Sequence, residues 1–121
     1  MDVQRQIIFY KYYFTDFYLA QPGKVQQKIE YAFKIIRTVQ NIPKKFLEHM
    51  IGPDGLYEIR VEFESNIYRI FCCFDKGNLV VLFNAFQKKT QKTPQKEIDL
   101  ALRLKDEYFN SKKKSNEKRK N

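Results

Sequence analysis

The stretch L-Y-E-I-R-V-E-F-E-S-N-I-Y-R-I-F-C-C-F-D-K-G-N-L-V-V-L-F-N-A-F, Leu56 to Phe86, holds three strand-like runs separated by two turn signals. In the first, Leu56 to Phe63, Tyr57, Ile59, Val61 and Phe63 alternate with Glu58, Arg60 and Glu62, the period of a half-buried strand with one charged face. Glu64-Ser65-Asn66 turns the chain, and Ile67 to Phe74 returns, apolar on both sides except at Arg69. Asp75-Lys76-Gly77-Asn78 is a hairpin turn, after which Leu79 to Phe86 is apolar throughout. Two consecutive hairpins predict an antiparallel meander whose doubly apolar runs lie mid-sheet.

Arg69 stands out within I-Y-R-I-F-C-C-F, because a guanidinium is costly to bury unless it is paired. Two readings are open: it meets Glu58 or Glu62, or it lines an anion cleft. Cys72 and Cys73 are adjacent and point to opposite faces of a strand, which makes a bridge between them sterically poor. They read as small buried hydrophobes of a reducing compartment.

Downstream, the apolar strand gives way at Gln87 to a basic loop, F-N-A-F-Q-K-K-T-Q-K-T-P-Q-K-E, Phe83 to Glu97. Lys88, Lys89, Lys92 and Lys96 fall within ten residues that contain no acid, an arrangement suited to holding a polyanion. Thr93 as N-cap and Pro94 at the first position predict a helix, with Ile98, Ala101, Leu102, Lys105 and Tyr108 or Phe109 inward. Residues 110–121 contain no apolar side chain and read as a basic, solvated tail after a single domain over 1–109.

Upstream, Gln6 to Tyr10 predicts a short strand, and the aromatics of Tyr12 to Ala20 recur at helical spacing. Gln21-Pro22-Gly23 breaks that helix, and Val25, Ile29, Ala32, Phe33 and Ile36 mark the inward stripe of a second, running to about Asn41. Ile42 to Met50 reads as a connector with a helical turn over Lys44 to Glu48, followed by a turn at Gly52-Pro53-Asp54-Gly55. His49 is the only histidine, so an acid–base pair of histidines is excluded, and no metal-ligand spacing occurs.

The net charge of +9 is local. Residues 110–121 carry +5 and Gln87 to Lys96 carry +4, while the other ninety-nine residues hold thirteen basic and thirteen acidic side chains. Two sites of anion contact follow. The N-terminus lacks the apolar region of a signal peptide and no run reaches transmembrane length, which places the protein in the cytoplasm with no membrane partner.

The strings G-L-Y-E-I-R-V (Gly55 to Val61), I-Y-R-I-F (Ile67 to Phe71) and F-Q-K-K-T-Q-K-T-P-Q-K-E-I (Phe86 to Ile98), in this order of elements, resemble the RelE/HigB-like toxins of bacterial type II toxin–antitoxin systems. The likeness is greatest to the phage-derived HigB branch. It implies an α+β, RelE-like fold: a twisted antiparallel sheet of the N-terminal strand plus the meander, two N-terminal helices on one face, a C-terminal helix and a basic cleft. It also implies ribosome-dependent mRNA cleavage without metal or other cofactor, and neutralisation by a helix-turn-helix antitoxin, with a hetero-oligomer as one open assembly. The family's catalytic basic positions fall on Arg60, Arg69, and Lys88 or Lys89; Lys92 and Lys96 would hold RNA. Glu58 stands where RelE-type members place a further lysine, and Tyr108 is no secure counterpart of their aromatic base.

Cleaving RNA in this way requires the 2′-hydroxyl to lose a proton and attack the adjacent phosphorus while the 5′-oxygen leaves with a proton. An always-protonated guanidinium such as Arg69 matches two phosphoryl oxygens as they gain charge, and Arg60 is placed to share that task. A lysine crowded by other cations releases its proton more readily, which suits Lys88 or Lys89 to proton transfer. Glu58 is open to two roles, a base or an ion-pair partner of Arg60 or Arg69. The alternatives to the nuclease are a ParE-like, non-enzymatic inhibitor of DNA gyrase and an inactive RNA-binding relative.

Overall fold

The computed structural model describes residues 4–50 and 55–119, so Gly52, Pro53 and Asp54 of the predicted turn lie outside the described residues. The elements are β1 (Gln6–Phe9), α1 (Tyr13–Leu19), α2 (Gly23–Thr38), β2 (Leu47–His49), β3 (Tyr57–Phe63), β4 (Asn66–Asp75), β5 (Leu79–Lys88) and α3 (Gln95–Arg119). The strands form one five-stranded sheet in the order β1-β5-β4-β3-β2. The meander β3-β4-β5 is antiparallel, as its turn chemistry predicts. Phe63 pairs with Asn66, and the two residues between them, Glu64 and Ser65, both take positive φ (48° and 69°), the twist that a two-residue hairpin demands.

Two features correct the expected sheet. It is mixed, because β1 lies parallel to β5, with Gln6 beside Leu79 and Phe9 beside Leu82. It also has a fifth strand, because residues 47–49 pair antiparallel with β3 where a connector and a helical turn over Lys44 to Glu48 were expected. Three residues are too few to display a period of two, so their pairing is fixed by β3 and not by local pattern.

Alternation sends the two faces of the sheet to different partners. Ile59, Val61, Tyr68, Ile70, Cys72, Val80 and Leu82 pack under α1 and α2, where Val25, Ile29, Ala32, Phe33 and Ile36 supply the predicted stripe. The larger of these side chains each stabilise the fold by about 1.5–3 kcal/mol. On the opposite face Phe71, Cys73, Val81, Phe83 and Phe86 pack under Ala101 and Leu104 of α3. The C-terminal helix therefore covers part of the face that the family resemblance assigned to an open cleft. Cys72 and Cys73 are free and buried on opposite faces, and burial pushes the Cys73 thiol up to about 11.

The chain ends of the helices are tied down by side chains from elsewhere. Arg5 donates to the carbonyls of Ile36, Val39 and Gln40 at 2.8, 2.6 and 2.9 Å, satisfying the open carbonyls at the end of α2. Helix α3 begins at Gln95, with Pro94 O accepting from the amides of Glu97 and Ile98, so Pro94 and not Thr93 occupies the capping position. It continues through what reads in the sequence as a polar tail, because no Gly or Pro follows Pro94 to stop it. In that continuation Lys112 reaches Asp75 and stands over the ring of Tyr108.

Candidate active site

The corner of the sheet beyond the reach of α3 is built by cross-strand register. Glu48 of β2 lies opposite Glu58 of β3, and Arg60 lies opposite Arg69 of β4. Like charges directly opposite repel, but here an acidic pair stands beside a basic pair, so each charge has an opposite one on the diagonal. Arg60 Nη1 donates to Glu48 Oε2 at 2.8 Å. Glu58 Oε1 lies 3.6 Å from Arg60 Nε and 3.7 Å from Arg69 Nε, beyond good hydrogen-bond length for either.

Of the two sequence readings of Arg69, the ion pair is the one seen: it meets Glu58, but loosely. The residue is 3% exposed. Its Nη1 donates to Tyr68 O at 3.2 Å, while Nε is buried without a hydrogen-bond partner among the described residues. Burial pulls the Arg69 pKa below the ordinary arginine value; Glu58 pulls it back and Arg60 opposes it. A guanidinium keeps its charge through such shifts, so a buried cationic donor is left underused.

Strand β5 brings one of the lysines onto this corner. Arg69 pairs with Phe86 and Ile67 with Lys88, so Lys88 shares the face of Arg69 one diagonal step away, a spacing of about 7–8 Å in sheets. Lys88 ends the strand and is half-buried; Lys89, Lys92 and Lys96 are exposed beyond it. The corner proper holds Arg60, Arg69 and Lys88 against Glu48, Glu58 and Glu62, so its positive field comes from the following loop. Both ends of that loop are pinned by Asn84, whose Nδ2 donates to Glu97 O and Glu97 Oε1, each at 3.0 Å. Asn84 sits at a bulge in β5, where Phe83 and Asn84 together face Phe71.

Other titratable groups lie elsewhere. His49 is exposed and packs edge-to-face on Tyr57, on the α2 side of the sheet, away from Arg69. Tyr108 donates to Asp75 Oδ2 at 2.7 Å, at the far end of β4. Among the described residues no three of His, Cys, Asp and Glu stand close enough to share a metal ion.

Residues 16–106 match the family described as phage-derived protein Gp49-like (DUF891). The chain belongs to the Gp49-like family. Its members are RelE/HigB-like toxins of the toxin–antitoxin type, which pairs each toxin with an antitoxin. No curated protein matches the chain. The Gp49-like span holds every member of the charged corner and the lysine loop, and leaves out β1, Tyr108 and Lys112. No helix among the described residues is long and apolar enough to cross a membrane.

Sequence reasoning missed Glu48 and Asn84. Glu48 falls in a stretch that reads as a connector, and nothing in three residues signals that β3 recruits them. Asn84 interrupts the apolar run of β5, and a lone amide in such a run is the signal that could have marked the bulge.

Proposed function

We propose that this Gp49-like toxin is a ribosome-dependent mRNA endonuclease of the HigB branch, with Arg69, Arg60, Lys88 and Lys89 as its catalytic cations. The observation that carries the reading is the buried Arg69 guanidinium whose Nε lacks a hydrogen-bond acceptor beside a second arginine. A phosphoryl group supplies the missing acceptor and offsets the repulsion between the two guanidiniums. As the 2′-oxygen attacks phosphorus and the 5′-oxygen departs, the phosphoryl oxygens gain charge and the arginines stabilise it. The 2′-hydroxyl proton passes to water, and the P–O5′ bond breaks as the P–O2′ bond forms. The Lys88 ammonium gives the 5′-oxygen its proton, leaving a cyclic phosphate and a free 5′-hydroxyl; solvent then reprotonates Lys88. Lys89, Lys92 and Lys96 hold the flanking RNA.

Ribosome dependence fits a shallow corner that cannot by itself bend a flexible strand into in-line geometry. A helix-turn-helix antitoxin would neutralise the toxin. The test is induced expression in cells with mapping of mRNA 5′ ends. Growth arrest with cuts inside translated codons is expected, and Arg69→Ala relieves both. Blocked DNA supercoiling with intact mRNA would replace this reading by gyrase inhibition.

A further inference from the structure

On the opposite side of β3 a groove follows the seam between α2 and the sheet. Strand β2 begins at Leu47, paired with Ile59, and among the described residues no strand pairs with this edge of β3 from Val61 onward. Three hollows of about 340, 390 and 510 Å³ lie side by side along this edge: Lys28 and Tyr31 line the first two, and Lys24, Gln27 and Phe63 line the second two. Lys24, Lys28 and Tyr31 occupy successive turns on one stripe of α2. That stripe is about 10 Å long, room for roughly three stacked bases.

Aromatic and basic side chains are interleaved in this groove. Tyr31 is 55% exposed and lies 5.9 Å, centroid to centroid, from Phe46, over which Lys45 Nζ sits at 5.2 Å. Phe63 supplies a third ring between the second and third hollows. Against Lys24, Lys28, Lys45 and Arg60 the lining carries two acids, Glu62 and Glu64. Both ends of the groove adjoin the charged corner. Arg60 lines the first hollow while holding Glu48, and Asn66 lines the third while accepting from Gln87, the residue before Lys88.

We infer that this groove binds a segment of single-stranded RNA, with bases stacked on Tyr31 and Phe63 and phosphates on Lys24, Lys28 and Lys45. A cationic track carrying exposed rings at intervals is how sequence-tolerant single-strand sites are made. A purely ionic surface has no use for the rings, and an acidic peptide, which would use the cations, brings no flat bases to stack on the rings. The inference rests on the nuclease reading only for the biological source of the strand.

The test is fluorescence anisotropy of the purified full chain with a short labelled oligouridine. Binding should weaken about tenfold or more in Tyr31→Ala and recover in Tyr31→Phe. Replacing Lys24 and Lys28 together by alanine should flatten the salt dependence by roughly 1.4 in the log–log slope. Absent oligouridine binding by the wild type, unchanged affinity in Tyr31→Ala, or equally effective displacement by polyglutamate would each overturn the groove. Mapping mRNA ends is read separately, so an absence of cuts with Tyr31-dependent binding defeats the nuclease alone, and the reverse result defeats the groove alone.

Discussion

The two ends of β4 each carry a charged side chain into the interior, and they are treated oppositely. At Asp75 every neighbour converges: Lys112 Nζ lies 2.5 Å and Tyr108 OH 2.7 Å from Oδ2, and the Lys76 amide lies 2.7 Å from Oδ1. Burial pushes the Asp75 carboxyl up, but the bonds from Lys112, Tyr108 and the Lys76 amide outweigh it and hold the group at about 2. At Arg69 the carboxylate contact of Nε stretches to 3.7 Å, and among the described residues Nε has no hydrogen-bond partner. A satisfied buried charge fastens α3 to the sheet. An unsatisfied one is a vacancy for an acceptor that the fold does not supply, and so a candidate for chemistry.

The comparison breaks most visibly at Arg69. Exchange for methionine, of similar length, should lower mRNA cleavage by about 10²- to 10³-fold, the usual cost of losing one donor to a developing oxyanion. Stability should hold or rise, because an apolar replacement of a poorly paired buried ion is often neutral or better. Denaturant midpoints measured beside cleavage decide it: a large loss of stability in Arg69→Met would show that this end too is structural. Lysine should not restore activity, since it lacks the fork that spans two phosphoryl oxygens.

Asp75 should answer in the other currency. Asp75→Ala strands Lys112 and the Tyr108 hydroxyl and should cost about 2 kcal/mol in urea unfolding, while leaving the cleavage rate of the folded protein unchanged. The acid dependence has a definite sign. The folded carboxyl titrates at about 2, below its ordinary 3.8, so its contribution is full above about pH 4 and is lost as pH falls towards 2. Wild type should lose stability through that window. Asp75→Asn should be flatter there; an unchanged acid limb would mean that Asp75 is no anchor.

How much of this contrast is legible in the sequence depends on the range of the interaction. The meander, the helical stripe from Val25 to Ile36 and the opposite-face cysteines follow from periods of two and 3.6, which are local. Arg69 is visible because a charge in an apolar run is anomalous wherever it lands. Its partner is not, because Glu58 and Glu62 are equivalent on paper until register puts Arg60 opposite Arg69. The Asp75–Lys112 contact spans thirty-seven positions and falls where composition suggests a solvated tail. Glu48 escapes for the same reason: a three-residue strand exists only because β3 is beside it.

The smallest effect should come from Glu58, and it sharpens the contrast by asking what holds the loose end together. Glu58 Oε1 is shared by both arginines, at 3.6 and 3.7 Å. Contacts of that length contribute little, so Glu58→Gln should change stability by no more than about 1 kcal/mol. Activity separates the two roles left open by the sequence. A carboxylate that only spaces the guanidiniums can be replaced by the isosteric amide with less than about tenfold loss, since the amide oxygen still faces both cations. A carboxylate that takes the 2′-hydroxyl proton cannot, and its loss should reach the range of about 10²- to 10⁴-fold typical of a missing general base. The orientation favours spacing: Arg60 and Arg69 flank the carboxylate, and attraction to both opposes its departure towards a substrate. A loss in Glu58→Gln as deep as that in Arg69→Met would reverse this, making Glu58 the base and the two arginines its clamp.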